Sequence, residues 1–410
     1  MRTLKLVLAL LVPSVVLANG YDVPNVNPRD LAMVSSTTAA QMDAEATFAN
    51  PAALSRLEGL NLQLAGSLLG LEEKYSGPDT GPLAGQSSHT KSPLVVPLSL
   101  FASYGFKVAD HNAGIGLGMN IPAGGNVYWP EDWVGRGSII TVDRKIYGFY
   151  LTGGYEVVPK LRLGGGLIYY YGTEYLKQGI QPFPDAYGEL ATKGGAFSFD
   201  LSAEYTLSAL PLSFGVDFKY KGTLKMSGNG HYNVPQGALP GTPPPVDQGV
   251  KHDLTYPSAL NVGVAYRVLE PWLFSFTFTW NGYSVYQSDT FVGDKGTTIT
   301  VPRNYKDGYT FRFGTEFDLN PKLQLRAGVE RDISGLDASV YSPSLPDSNS
   351  WCGALGAAWW IEKDFSLQGA FFYAWLDPVT TDNPQLPGTF KTEVWVASAG
   401  ITWRTDLGSK

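Results

Sequence analysis

The feature that most constrains this chain is a strict alternation of apolar and polar residues, which recurs from Gly59 onwards. In residues 197–205 the odd-numbered positions are Phe, Phe, Leu, Ala and Tyr, and the even-numbered ones are Ser, Asp, Ser and Glu. The same period of two is found in residues 212–221, 272–281, 309–318 and 323–332. Because successive side chains of a β-strand point to opposite faces, each segment predicts a strand with one apolar and one polar face.

A soluble β-sandwich would also alternate, but three features favour a membrane barrel. Aromatic residues such as Tyr205, Trp272 and Trp280 stand at the ends of the apolar faces, as in the girdles of outer-membrane barrels. The segments run for about ten or more residues, whereas soluble strands average about five or six. Short and long connections alternate, like periplasmic turns and outer loops. The sequence therefore predicts an all-β fold, a transmembrane antiparallel β-barrel of about 14 strands.

A barrel of this width must be filled, because about eight strands already use up the space that side chains alone can fill. Residues 19–58 precede the first strand, lack sustained alternation and predict a plug. The segment before them is typical of a secretory signal peptide, with Arg2 and Lys5 ahead of an apolar stretch and Ala18 at the cleavage point. The expected organisation is a signal peptide (1–18), a hatch (19–58), a barrel (59–403) and a C-terminal tail (404–410).

Composition excludes several functions. The 30 Lys and Arg residues are outnumbered by 37 Asp and Glu residues, which leaves no basic footprint for nucleic acid. Cys352 is the only cysteine, and the four histidines lack metal-ligand spacing, so neither a disulfide, a metal site nor a cofactor is expected. We find no distinctive Ser/His pair for a barrel hydrolase and do not expect an enzyme.

Several motifs carry a family resemblance. Residues 44–54 read AEATFANPAAL and contain Asn50, Pro51 and Ala52; residues 128–136 read YWPEDWVGR; residues 344–351 read SLPDSNSW after two strand segments at 305–317 and 323–332. In this order the motifs resemble the FadL/TodX family of outer-membrane channels for long-chain fatty acids and other hydrophobic compounds. Two departures are the lack of glycine in residues 31–45 and the seven residues after Trp403, the last aromatic.

The resemblance implies a barrel closed by an N-terminal hatch, with a lateral exit. Ligand would be caught near the outer loops, pass to an inner pocket beside the hatch N-terminus (Asn19, Gly20 and Tyr21), and leave through a gap at a kinked third strand. That strand, residues 113–127, contains Asn120, Pro122, Gly124 and Gly125. Because proline cannot donate a ladder hydrogen bond and glycines favour bulges, the residues themselves are compatible with a gap. An ordinary strand end followed by a loop is the alternative.

Two further sets of candidate residues concern the ligand. Loop aromatics that could form an outer groove are Tyr128, Trp129, Trp133 and Phe183, unless they merely seat at the membrane interface. Family basic residues that would face a fatty-acid carboxylate fall near Arg303, Lys306 and Lys177. Because none of these three aligns closely with the family pattern, uncharged aromatic compounds or alkanes stay open as ligands.

The expected function is passive uptake of hydrophobic compounds by a channel in the bacterial outer membrane. The expected partners are a hydrophobic small molecule, outer-membrane lipid and lipopolysaccharide, and we expect a monomer. Mixed inward charges, among them Glu204, Glu316 and Arg326, are expected to bond the hatch to the wall. A general polar porin and a structural or adhesive barrel are the alternative functions.

Overall fold

The chain forms a closed antiparallel barrel of fourteen strands. The computed structural model describes residues 22–23, 27–91, 96–234, 246–381, 383 and 385–405. The predicted signal peptide, the predicted pocket residues Asn19, Gly20 and Tyr21, and residues 406–410 of the predicted tail lie outside these residues.

The strands are long, and four of them are interrupted once. They are β1 (Gly59–Ser76), β2 (Leu98–Val108), β3 (His111–Tyr128), β4 (Thr141–Val158), β5 (Leu161–Gly179), β6 (Tyr187–Thr206), β7 (Leu212–Lys219 and Gly222–Asn233), β8 (Gln248–Tyr256 and Ala259–Leu269), β9 (Trp272–Asn281 and Ser288–Gly293), β10 (Thr298–Pro302 and Gly308–Asn320), β11 (Leu323–Ile333), β12 (Ser350–Trp360), β13 (Phe365–Leu376) and β14 (Gly388–Thr405). Each strand pairs with its neighbours in the sequence.

The seam between the first and last strands closes the barrel. β1 and β14 pair without interruption from Leu60 opposite Thr405 to Ser76 opposite Thr389. This closure confirms the predicted barrel and its number of strands. The last strand includes Arg404 and Thr405. The predicted boundary between barrel and tail, after residue 403, therefore lies at least two residues before the end of the strand.

The two ends of the barrel differ, as the alternating connections predicted. Tight turns join β2 to β3, β4 to β5 and β10 to β11, and we call this the turn end. Longer connections emerge at the opposite loop end. Several strands reach further into these connections than the sequence indicated: residues 228–233 and 288–293 are strand, although the alternation there is weak.

Side-chain exposure follows the predicted alternation. Phe197 and Leu201 on β6 are 78% and 58% exposed, whereas Asp200 and Glu204 between and beside them are 1% exposed. The apolar face therefore points outwards and the polar face inwards, the reverse of a soluble protein. This inversion is stable only where acyl chains replace water on the outside.

Within the segment predicted as the hatch, residues 27–58 form short helical turns. They are α1 (Pro28–Ala32), α2 (Ala46–Ala49) and a 3-10 helix (Pro51–Arg56). Asn27 caps α1, because its Oδ1 accepts a hydrogen bond from the Arg29 backbone N–H at 3.1 Å. Within the described residues, none of the helices has the length and apolar character needed to cross a bilayer.

The hatch contacts opposite sides of the wall. α1 packs on β12 and β13, while the 3-10 helix packs on β3, β4 and β5. Two ion pairs fasten it: Arg29 Nε lies 3.0 Å from Glu316 Oε2, and Arg56 Nη2 lies 3.1 Å from Glu204 Oε2. Glu316 and Glu204 face inwards close to the turn-end termini of their strands, so the segment crosses the lumen near the turn end.

Candidate functional site

The predicted kink lies at one β-bulge in β3. Asn120 pairs with Gly148 and Ala123 pairs with Ile146, so two residues of β3 stand opposite one residue of β4. The two residues opposite Tyr147 are Ile121 and Pro122, and the proline has no N–H to offer. We call residues 120–123 the kink. Gly124 and Gly125, by contrast, pair in regular register with Lys145 and Arg144.

On its other edge, the kink is covered by the N-terminal segment instead of by β2. The pairing of β2 with β3 ends at Leu100 opposite Met119. Beyond that point Asp22 forms an isolated antiparallel bridge with Ala123, and the Val23 backbone N–H donates to Pro122 O at 3.0 Å. Among the described residues, the ladder at this edge of the kink is thus completed by two residues from the chain's own beginning.

Behind the kink lies a buried apolar group inside the lumen, which we call the inner cluster. Its members are Ala44, Phe101, Ala123, Ile146, Tyr150, Ile168, Tyr170, Leu224, Met226, Leu254, Tyr283, Tyr286, Tyr305 and Leu345, with Phe48 and Tyr256 packed against it. Phe48 of the hatch meets the Tyr150 ring edge-on, with centroids 5.2 Å apart, and Tyr150 donates its hydroxyl to Asn120 Oδ1 at 2.9 Å. Because Ala123 belongs to both groups, the wall irregularity opens directly onto apolar side chains.

A cavity of about 130 Å³ lies between the kink and the hatch. Its lining is mixed: Asp22, Lys219 and Arg312 contribute charged groups, while Phe48 and Ile121 contribute apolar side chains. A volume of this size holds about four waters. An apolar ligand that moved into this space would therefore meet charged groups beside apolar ones.

The carboxyl group of Asp22 has an unusual environment. The residue is half-buried, but its Oδ1 atom is out of reach of water. This burial raises the pKa of Asp22 to about 7, against the lowering effects of hydrogen bonds from Tyr283 and Tyr256 and of the Arg312 charge. Asp347, from the predicted Leu-Pro-Asp loop, adds a like charge that raises the pKa further.

The Asn-Pro-Ala motif shapes the hatch. Asn50 accepts from the Ala52 N–H at 3.2 Å and thereby caps the 3-10 helix, which Pro51 begins. The Asn50 Nδ2 atom donates to Thr38 O at 2.7 Å, and the Ala52 N–H also donates to Ser202 Oγ on β6 at 2.9 Å. The motif therefore ties two turns of the hatch together and binds them to the wall.

The predicted loop aromatics are packed, not open. Trp129 and Trp133 stack with ring centroids 3.9 Å apart and are 2% and 4% exposed. Tyr75 meets Trp133 edge-on at 6.1 Å. They form part of a second buried group, the outer cluster, which also contains Tyr341, Phe372, Phe390 and Val396 and reaches down to Leu31 and Val34 of the hatch.

Phe183 and Tyr128 lie outside the outer cluster. Both are half-buried, and the carbonyl of Phe183 accepts from Arg136 Nη1 at 2.9 Å. The Arg136 Nε atom donates to Glu131 O at 2.8 Å. This arginine, which ends the Trp-x-Gly-Arg segment, clamps the loop after β3 to the loop after β5.

Two of the three predicted carboxylate partners already have acidic neighbours. Arg303 is buried, with its Nε 2.9 Å from Asp289 Oδ2. Lys177 Nζ lies 2.7 Å from Glu131 Oε1. Lys306 is exposed.

Sequence reasoning missed one buried ionic group near Arg303. Arg144 on β4 pairs with Glu174 on β5, its Nε 2.7 Å from Glu174 Oε1, and His252 Nε2 lies 3.0 Å from Glu174 Oε2. The three residues belong to three strands, so no local motif could reveal them. The one signal for this ionic group in the sequence was that its members occupy inward-facing positions of alternating segments.

Comparisons with known proteins agree with this architecture. A sequence profile of the family described as "Outer membrane protein transport protein (OMPP1/FadL/TodX)" matches residues 9–404. An outer membrane protein of Neisseria meningitidis serogroup B is 22% identical over 95% of this chain and 93% of its own length. A long-chain fatty acid transport protein of Escherichia coli O6:H1 is 23% identical, over 37% of this chain and 34% of its own.

Solved structures share the fold. A Pseudomonas aeruginosa FadL homologue superposes with a TM-score of 0.81 at 18% identity, covering 94% of this chain and 99% of the other. The toluene transporter TodX of P. putida gives a TM-score of 0.78 at 16% identity, covering 94% and 100%. At these identities the superpositions establish the fold alone.

Proposed function

The chain belongs to the outer membrane protein transport protein family (OMPP1/FadL/TodX), and from this premise we propose that it is a passive channel for hydrophobic compounds. In this proposal the turn end faces the periplasm and the loop end faces outwards. Ligand enters at the loop end, reaches the inner cluster, and leaves sideways into the bilayer at the kink.

One observation carries the proposal: the wall is irregular where its inner surface is apolar. The bulge at Ile121 and Pro122 places Ala123 of the inner cluster at an edge that only Asp22 and Val23 cover among the described residues. Among the described residues, moving Asp22 and Val23 breaks one bridge, one backbone hydrogen bond and the side-chain hydrogen bonds of Asp22, whereas opening a regular seam breaks a row of backbone hydrogen bonds. The kink is therefore a less costly exit from the lumen than a regular seam.

The charged groups in the cavity between the kink and the hatch support a sideways route. A ligand that buries ~200 Å² of apolar surface gains about 5 kcal/mol, and it would lose part of this gain beside Asp22, Lys219 and Arg312. The acyl chains outside the kink restore it. The downward path is also blocked by the hatch, whose ion pairs reach both sides of the wall.

The charges around the inner cluster favour an uncharged ligand. Arg303 is paired with Asp289 and Arg144 with Glu174, so each buried cation already has a buried anion beside it. A fatty-acid carboxylate would have to displace one of these acids, at the cost of leaving it unpaired. We therefore propose aromatic or aliphatic hydrocarbons, rather than free fatty acids, as the preferred ligands.

A reversible lock on the kink tests the exit. Asp22 and Ala123 form a non-hydrogen-bonded pair, the arrangement in which opposite Cα atoms approach to about 4.5 Å, so the double substitution Asp22→Cys and Ala123→Cys should form a disulfide. Cys352→Ser removes the native thiol. Uptake of radiolabelled toluene into proteoliposomes is measured before and after reduction. We expect the oxidised form to stop uptake and the reduced form to restore it.

A matched lock elsewhere provides the control. Ala374→Cys places a thiol opposite the native Cys352 in the regular ladder of β12 and β13. This second disulfide should leave uptake unchanged. Unchanged uptake in the fully oxidised double-cysteine variant of the kink would contradict exit at the kink. In a separate measurement, strong ion conductance of the unmodified protein in planar bilayers would favour the function of a polar porin.

A further inference from the structure

A second large cavity opens at the turn end and plays no part in the proposed transport path. Its volume is about 680 Å³, and we call it the vestibule. The hatch forms its inner wall through Arg29, Met42 and Asp43, while β10, β11 and β14 contribute Glu316, Arg326 and Arg404. The kink cavity is a separate space with a different lining, to which the hatch contributes Thr38 and Phe48.

Cationic groups outnumber acidic ones around the vestibule, although the whole chain carries a net charge of -7. Six basic and five acidic side chains line it. Its deepest part holds the guanidinium groups of Arg29 and Arg326, which are 4% and 5% exposed. Both donate through Nε to a single oxygen, Glu316 Oε2, at 3.0 and 2.8 Å.

Each side-chain nitrogen of Arg326 has a hydrogen-bond partner, whereas one nitrogen of Arg29 has none. Arg326 Nη1 and Nη2 donate to the side-chain oxygens of Gln368 and Gln324 at 2.7 and 3.0 Å. The Nη2 atom of Arg29 is buried and has no partner among the described residues, and the same holds for Nε of Arg404. An unmet donor on a buried guanidinium is costly, so a group that supplies an acceptor there is strongly favoured.

Asp43 is the protein group that competes with an added acceptor for the donors of Arg29 and Arg404. It is 1% exposed, its charge acts on Arg29 and Arg404, and its Oδ1 accepts the Glu45 backbone N–H at 3.2 Å. The charge of Asp30, which lies outside the vestibule lining, also acts on Arg29, so the three guanidinium groups are balanced by three carboxylates. The unmet donors of Arg29 and Arg404, rather than a surplus of charge, therefore indicate an anion site.

We propose that the vestibule binds a small soluble oxyanion, a carboxylate or a phosphate-type ion, at Arg29 and Arg404. The planar fork of a guanidinium matches both classes of oxyanion. A lipid headgroup does not fit, because Arg404 follows the outward-facing Trp403 and therefore points into the lumen. An anion bound there competes with Glu316 for Arg29 and so acts on a fastening of the hatch. This inference does not depend on the proposed transport function.

Anomalous diffraction from crystals of the full protein tests the site. Crystals are soaked in selenate in one arm and in 4-bromobenzoate, which does not alkylate protein side chains, in the other; this separates the phosphate-type from the carboxylate class. We expect a peak within hydrogen-bond distance of Arg29 Nη2 in at least one arm. Water alone at this position in both arms, or anomalous peaks confined to the outer surface, would overturn the proposal.

Solution binding provides the second measurement. The rise in melting temperature with the same anions, at constant ionic strength, reports affinity by linkage. Arg404→Gln should weaken binding about tenfold, whereas Lys107→Gln, an exposed cation at the same end of the barrel, should not change it. Glu316→Gln removes the nearest competing carboxylate and should strengthen binding. Equal affinity in all three variants would show that the anions act on the surface only.

Discussion

Replacing Asp22 by asparagine should abolish a pH dependence in the docking of the N-terminal segment over the kink. The carboxyl group faces Tyr256, Tyr283 and Tyr170, the Arg312 cation and the Asp347 carboxylate, and burial raises its pKa from 3.8 to about 7. The docked state therefore binds a proton that the released state gives up. Docking is strongest under acidic conditions and weakens as pH rises from about 4 to 7, beyond which it changes no further.

The magnitude follows from the size of the shift. Each pKa unit corresponds to about 1.36 kcal/mol, so the raised pKa of Asp22 costs docking about 4 kcal/mol at neutral pH relative to strongly acidic pH. Between about pH 5 and 7 the docking equilibrium should fall up to a hundredfold. Asparagine has the same shape and no charge, so Asp22→Asn should stay firmly docked at every pH.

Thiol labelling at position 23 measures this equilibrium. Val23→Cys is introduced into the Cys352→Ser background, with and without Asp22→Asn, and the rate of maleimide labelling is followed against pH. The intrinsic reactivity of the thiol cancels in the ratio of the two rates. The ratio should rise about tenfold per pH unit between about pH 5 and 7 and then level off. A ratio independent of pH would refute the claim that Asp22 controls docking of the N-terminal segment. An equal pH dependence of transport with and without Asp22→Asn would refute it as well.

Three further predictions concern the wall, the ligand and the loops. Gly164→Ala places a Cβ against the hatch backbone and should displace the hatch, so that ion conductance in planar bilayers rises. In the control Gly153→Ala, the nearest atom to the new Cβ is 3.4 Å away, and conductance should not change. Arg303→Gln, combined with Asp289→Asn so that no buried carboxylate is left unpaired, should leave toluene uptake within about twofold of the original value, since the ligand is uncharged. A selective loss of laurate uptake would favour the fatty-acid hypothesis. Trp133→Ala should lower the free energy of unfolding by about 3–5 kcal/mol, because the ring is buried in the outer cluster. Trp359→Ala, on the outward face, should lower it much less. Thermal melting in detergent measures both changes.

The strands could be predicted well because their signal is local. The alternation in residues 197–205 and its repeats identify both faces of each strand without any knowledge of their neighbours. Turn and loop ends also follow from the spacing of these segments. Strand ends outside the membrane were less predictable, since at residues 228–233 both faces meet water and the alternation fades.

The site was only partly predictable, because its contacts join distant parts of the sequence. Pro122 indicated the position of the bulge, since a residue without an N–H weakens any ladder. The neighbouring Gly124 and Gly125 suggested an irregularity that the regular pairing with β4 does not show. No local pattern places Asp22 beside Tyr256 and Tyr283, which are brought to it by the curvature of the wall. The roles predicted for the loop aromatics and for the carboxylate partners stay predictions.

The close approach of the 3-10 helix to the wall has a consequence for protein engineering. The backbone of this helix lies against Gly114, Gly154 and Gly164, where a Cβ on the wall would collide with it. The shapes of the two parts are therefore matched at the level of single atoms. Chimaeras that exchange hatches between relatives will seat correctly only when the matching wall glycines are transplanted with them.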